Sequence, residues 1–188
     1  MAPHHHLQSQ FKSCKSFLVR GTVTYMAKGI ELTLKEGDKA PAFKAESQDG
    51  TLLRLSDFKG KFVVLYFYPK DNTPGCTKEA CAFRDLHAAF ENANAVVLGV
   101  STDPIKAHLK FVNKFQIPFT LLADDSKEIV SKYGVWGPKQ FMGRIFDGIH
   151  RITFLIDPKG KIIRIWPKVK PEPHPAEVLD CIREATED

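Results

Sequence analysis

The chain is poor in cysteine: four in 188 residues, too few for a disulfide-built scaffold. No two of them form a C-x-x-C pair, so the dithiol motif of thioredoxin-type exchangers is missing. No second Cys/His pair stands at zinc-finger spacing either, and no metal is expected. Long apolar runs are absent. The longest, Phe62–Tyr68, falls far short of the roughly 18 residues a membrane span needs, so no membrane partner is expected. Nothing resembles a glycine-rich phosphate loop or a dinucleotide fingerprint, so no organic cofactor is expected. Internal repeats and low-complexity segments are also lacking.

What is present suits one folded domain on the prior of roughly 150 residues per domain. Apolar residues make up 43% and charged ones 26%. The net charge of +5 and the pI near 9.0 at first suggest a nucleic-acid partner. Position decides otherwise. Residues 1–25 contain Lys12, Lys15 and Arg20 with no Asp or Glu, which leaves only +2 for the remaining 163 residues. The basicity belongs to a tail, and no nucleic-acid partner is expected. Residues 1–25 read as an N-terminal extension without order, and residues 26–188 as the domain. The tail fits a start upstream of Met26 or a natural extension, an organelle-targeting segment, or an expression remnant. Phe17–Val19 is too short for the apolar core of a secretory signal. The adjacent His4, His5 and His6 lack the rigid geometry of a metal site.

From Met26 on, the pattern alternates strands and helices. Asp49-Gly50 joins Phe43–Ser47 to Thr51–Leu55 as a hairpin. Phe62–Tyr68 is apolar on both pleat faces, as a central buried strand is, and Ala95–Ser101 repeats that signature. Between them, Cys76–Ala93 has helical spacing through Ala80, Phe83, His87 and Phe90. Helices are expected over Pro104–Phe115, Lys127–Tyr133 and Pro175–Ala185, and strands over Phe119–Ala123, Arg151–Ile156 and Lys161–Trp166. The last two are joined by the turn Asp157-Pro158-Lys159-Gly160. This order implies an α/β domain with a central mixed sheet flanked by helices.

Among the cysteines, Cys181 reads as a small buried apolar residue between Val178 and Ile182, and Cys14 as an exposed thiol of the tail. Cys76 stands out by position. It follows a buried strand and the loop Pro69–Gly75 and opens a helix, where unpaired N–H groups and the helix dipole favour a thiolate. Its helical phase points inward with Ala80 and Phe83. Cys81 lies about 140° further round. In an intact helix the two Cα atoms would be about 8.7 Å apart, beyond the roughly 7 Å a disulfide tolerates. The pair can bond only if the start of this helix unwinds.

The stretch Pro69-Lys70-Asp71-Asn72-Thr73-Pro74-Gly75-Cys76 resembles the peroxiredoxin active-site pattern P-x-x-x-T/S-x-x-C. Tyr66-Phe67-Tyr68 before it and Thr77-Lys78-Glu79-Ala80-Cys81 after it are similar to the bacterioferritin comigratory, or Q-type, subfamily. Arg151–Asp157 resembles that family's strand with the catalytic arginine. The likeness runs from about Lys35 to Ala185. It implies a thioredoxin-like fold and a thiol peroxidase acting on hydrogen peroxide and organic hydroperoxides. Cys76 would then be the peroxidatic thiol and Cys81 the resolving one. Thr73 would orient the peroxide, Pro69 would shield the thiolate, and Arg151 would stabilise it, with Arg144 second as the cation. The partners implied are a hydroperoxide and thioredoxin or a similar dithiol. A monomer in a reducing compartment, most simply the cytoplasm, is expected. No catalytic role falls to His87, His108, His150 or His174, and Glu79 suits the start of a helix.

Two other functions fit parts of the sequence. A general dithiol–disulfide oxidoreductase would use the same cysteines. A basic binding or holdase protein would use the tail and the stripe Lys159, Lys161, Arg164, Lys168 and Lys170.

Overall fold

The computed structural model describes residues 25–27 and 29–187. The expectations for residues 1–24, Cys14 among them, therefore lie outside the described residues. The first pair of strands, β1 (Tyr25–Ala27) and β2 (Ile30–Leu32), turns at Gly29, whose φ of +92° suits glycine. A hairpin follows, of β3 (Lys44–Ser47) and β4 (Leu52–Arg54). In its turn, Asp49 Oδ1 accepts from Ser47 Oγ at 2.5 Å and from the Thr51 N–H at 2.9 Å. Then come β5 (Phe62–Phe67), α1 (Pro74–Asp85), α2 (His87–Asn92), β6 (Ala95–Ser101) and α3 (Ile105–Phe115). The chain continues through β7 (Thr120–Ala123), α4 (Glu128–Lys132), β8 (Trp136–Phe141), β9 (Arg144–Ile149), β10 (Ile152–Ile156), β11 (Ile162–Trp166) and α5 (His174–Thr186).

Seven strands form one mixed sheet in the order β11-β10-β5-β6-β7-β3-β4. The three central strands β5, β6 and β7 run parallel, and β10 and β3 flank them antiparallel. All six residues of β5 are buried, because helices or loops cover both of its faces. Alternation along β5 divides the core in two. Phe62, Val64 and Tyr66 face Ala80 and Phe83 of α1, Phe111 of α3 and Val178 of α5. Val63, Leu65 and Phe67 face the opposite way, toward Ile129, Val130 and Tyr133 in and beside α4.

The expected elements form, with three differences. The single helix expected over Cys76–Ala93 is broken at Leu86, where the backbone leaves helical angles (φ −103°, ψ 8°). The break lets Phe90 of α2 meet Phe83 of α1, with ring centroids 5.7 Å apart. Arg151 sits one residue ahead of β10 rather than inside it. The pairs β1–β2 and β8–β9 have no counterpart in the expected elements.

Candidate active site

The strand β5 delivers the chain to a loop, Tyr68–Thr73, and then into α1. Pro74 suits the first helical turn because it has no N–H to leave unpaired. Thr73 occupies the N-cap, but its hydroxyl turns back and donates to the Lys70 carbonyl at 2.9 Å. Cys76 is therefore the third residue of α1, among N–H groups with no partner inside the helix. Its side chain is 2% exposed and packs with Ala80 and Phe83 as its phase requires.

The cation at this thiol comes from across the sheet. Antiparallel pairing sets Ile152 of β10 opposite Phe67 of β5. Arg151, one residue earlier, thus lies beside the end of β5 where the loop leaves for α1. Its Nη2 donates to Cys76 Sγ at 3.2 Å, and its Nη1 donates to Glu79 Oε2. Gly75 lies beneath the guanidinium, and a Cβ there would come within 3.4 Å of Nη2.

Glu79 is a correction to the sequence reading. Its carboxylate is fully buried and ion-paired with Arg151 instead of serving the helix dipole. The helical arithmetic that points Cys76 inward already contained this, since a residue three positions on shares its face. Burial pushes the Glu79 carboxyl up to about 7, while Arg151 pulls the other way. Burial also works against the Arg151 charge. The negative groups Glu79 and Cys76 outweigh it, and Arg151 holds its proton more tightly than usual.

The loop is anchored from below. Tyr68 donates to Asp71 Oδ1 at 2.6 Å, and His108 Nδ1 meets Asp71 Oδ2 at 2.7 Å. His108 Nε2 lies 3.2 Å from the Leu122 carbonyl, and the Asp71 N–H donates to Asp103 Oδ2 at 2.9 Å. His108 thus holds the loop that ends at Cys76, a role its position in the sequence did not reveal. Behind α1, His174 Nε2 bonds Thr153 Oγ1 at 2.8 Å, and its ring stands edge-on to Phe83. Burial, aided by the Arg151 charge, pushes His174 down to about 3.

A buried thiol at a helix start is thus held by an arginine just ahead of a neighbouring strand, and a family model matches the chain around both. The AhpC/TSA family matches residues 36–165. The chain belongs to the AhpC/TSA family. Within it the chain stands with the Bcp or Q-type peroxiredoxins, which are thiol-dependent peroxidases. It is 46% identical to peroxiredoxin Bcp of Bacillus subtilis over 156 residues, 83% of this chain and 99% of that one. The structure of a Cys-to-Ser variant of Xylella fastidiosa PrxQ is similar with a TM-score of 0.77 at 36% identity. The match covers 81% of this chain and 98% of that one. The bacterioferritin comigratory protein of Xanthomonas campestris, described for its alkyl peroxide reduction activity, is similar with a TM-score of 0.72. It is 36% identical, covering 76% of this chain and 91% of that one.

In this peroxiredoxin the residues singled out in the sequence fall into two groups. Cys76 and Arg151 are in contact, with Thr73 and the half-buried Pro69 on the loop between β5 and α1. Cys81 is apart. It is half-buried on the far side of α1, which runs unbroken from Pro74 to Asp85. The two thiols are free, on Cα atoms about 8.7 Å apart by helix geometry. Arg144 lies exposed on β9, opposite Phe141, and not at the thiol. Cys181 is buried in α5. Arg164 of the basic stripe faces Glu36 at 3.9 Å and lies over the Trp166 ring. Among the described residues, no group of three or more His, Cys, Asp or Glu is placed to hold a metal, and no helix is long and apolar enough to cross a membrane.

Proposed function

We propose that this peroxiredoxin reduces hydrogen peroxide and organic hydroperoxides through Cys76 and closes its cycle with Cys81. The observation that carries the reading is the 3.2 Å bond from Arg151 Nη2 to Cys76 Sγ at the start of α1. The guanidinium and the N-terminal end of the helix dipole both place positive charge beside the sulfur that must act as nucleophile.

The Cys76 thiolate attacks the distal oxygen of the peroxide. The O–O bond breaks, the sulfur becomes a sulfenic acid, and the departing oxygen takes a proton and leaves as water or alcohol. Arg151 faces the reacting atoms and offsets the charge that develops on the leaving oxygen. Thr73 can swing its hydroxyl from the Lys70 carbonyl to the incoming peroxide, and Pro69 limits access of water to the sulfur. The alkyl peroxide activity described for the Xanthomonas campestris relative supports organic hydroperoxides as substrates.

Resolution requires the first turns of α1 to unwind. The Cys81 sulfur then attacks the Cys76 sulfenic sulfur, the S–S bond forms, and the hydroxyl leaves as water. A thioredoxin-type dithiol reduces the disulfide by exchange. The chain works as a monomer in this scheme, since both sulfurs are its own. The Cys76 and Cys81 pair, both free thiols, fits a reducing compartment such as the cytoplasm.

Peroxide consumption coupled to thioredoxin, its reductase and NADPH tests the scheme. Cys76→Ser abolishes turnover. Cys81→Ser still consumes one equivalent of peroxide but is not recycled through an intramolecular disulfide. Full turnover by Cys76→Ser would sink the reading.

A further inference from the structure

The strands β8 and β9 form a ribbon that joins no other sheet. Its root is packed, with Ile149 buried and Gly137 lying so close against Ile30 that no Cβ would fit. Its outer half is bare. Ile145 and Phe146 are consecutive on β9 and so point to opposite faces, yet they are 76% and 48% exposed. Phe141 and Met142 are 67% and 86% exposed. Of the six large apolar side chains exposed among the described residues, these are four.

Local preference does not account for this tip. Met142 and Gly143 form the two-residue turn with φ of +48° and +78°, a pattern that favours Asn-Gly. Methionine there meets backbone strain and gains no burial within the chain. Charge is patterned as well. The ribbon Trp136–Ile149 contains Lys139 and Arg144 against one acid, Asp147. That acid lies opposite Pro138, on the root side of both cations, so the outer half of the ribbon is purely basic. The register sets Lys139 opposite Phe146 and Phe141 opposite Arg144, so cations and rings alternate on one face.

The ribbon also rises from the rim of the active site. Lys139 Nζ donates to the Ile149 carbonyl at 2.8 Å, where its ammonium feels both Arg151 and Cys76. Six residues of β9 carry the tip about 17 Å outward, and Arg151 follows two residues after β9 ends.

We propose that this ribbon is the docking surface for the dithiol reductant, a small acidic protein with an apolar rim around its attacking cysteine. The inference rests on the thioredoxin-recycled cycle proposed above. An encounter of this kind needs only a small surface, since transient redox complexes bury less than about 1,200 Å² in total. Lys139 and Arg144 would steer an acidic partner. The place is right too, since the reductant must reach the segment that holds Cys76.

The test compares full-length wild type with Phe141→Ser/Met142→Ser and with Arg144→Glu. Each is assayed with a bacterial thioredoxin, its reductase and NADPH, and separately with dithiothreitol. In the double variant kcat/KM for thioredoxin falls about tenfold or more, through KM, while the dithiothreitol rate stays at the wild-type value. Arg144→Glu shows a smaller loss that high salt erases. Thioredoxin kinetics equal to wild type in both variants would overturn the inference alone. A parallel fall with dithiothreitol would also overturn it, by making the ribbon a support of the site. Wild type recycled by dithiothreitol but not by thioredoxin would overturn the recycling scheme and this inference with it. Sedimentation velocity supplies a further check: a wild-type dimer lost in the double variant, with thioredoxin kinetics unchanged, would assign the patch to a second copy and overturn the inference.

Discussion

Replacing Glu79 by Gln probes the buried charge pair directly. The substitution keeps the shape and leaves a carbonyl oxygen to accept from Arg151, but it removes a titrating group. In the folded protein this carboxyl titrates at about 7, against 4.5 ordinarily, because burial outweighs the Arg151 charge. Between those values the unfolded chain has released a proton that the folded chain still holds, so stability falls as pH rises. The difference of about 2.5 units, at 1.36 kcal/mol each, amounts to about 3 kcal/mol. The loss begins near pH 4.5, is complete just above pH 7, and is absent from the Gln variant. Urea unfolding of both reduced proteins from pH 5 to pH 8 measures it. The midpoint of the variant should gain on wild type by about 1.5 M across the range, at a slope of about 2 kcal/mol per molar urea. Other groups, His174 included, titrate in both proteins and cancel in the difference. Parallel curves with a constant offset would refute the reasoning, because Glu79 would then be ionised throughout as an ordinary partner of Arg151.

Further substitutions test other contacts. Arg151→Met removes the cation at 3.2 Å from Cys76; peroxide attack at pH 7, followed by stopped flow, should slow by about 100-fold or more, the scale of losing one charge-stabilising donor. Gly75→Ala, in the first turn of α1, should stabilise that helix by about 1 kcal/mol. Disulfide formation should then slow about fivefold in quenched-flow alkylation, with peroxide attack slowed less. Gly99→Ala would bring a Cβ to 2.7 Å from both Tyr66 Oη and Leu121 Cδ2, and thermal unfolding should show a loss of about 1–3 kcal/mol from overpacking.

The parts legible in the sequence are those fixed by short-range pattern. β5 announced itself because a strand covered on both faces must be apolar throughout, and α1 because its inward residues recur at helical spacing. The loop motif and Cys76 were legible for the same reason, being contiguous. Arg151 needed the family likeness, since its meeting with Cys76 depends on β10 lying next to β5, a pairing of distant segments. His108 was illegible on its own: its partner Asp71 is 37 positions away and meets it only once α3 packs on the sheet. Glu79 lies within reach of the helical phase, but an acid near a helix start has an ordinary explanation in the helix dipole, which hides its ion pair. The β8–β9 ribbon lacked the Asn-Gly or Asp-Gly signal of a tight hairpin, and its exposed apolar tip breaks the alternation by which strands are recognised.

The two thiols of α1 share one continuous helix, and this has a consequence for how the reductant lets go. On the proposed cycle the disulfide exists only while the helix is open, so the oxidised enzyme differs from the reduced one in shape as well as in bonding. Once the two electrons of the exchange have arrived, the helix can close, and Cys76 returns to the interior out of reach of the reductant's thiol. Rewinding is thus a built-in release step. The spent reductant loses its contacts with the opened segment and keeps only those with the β8–β9 ribbon.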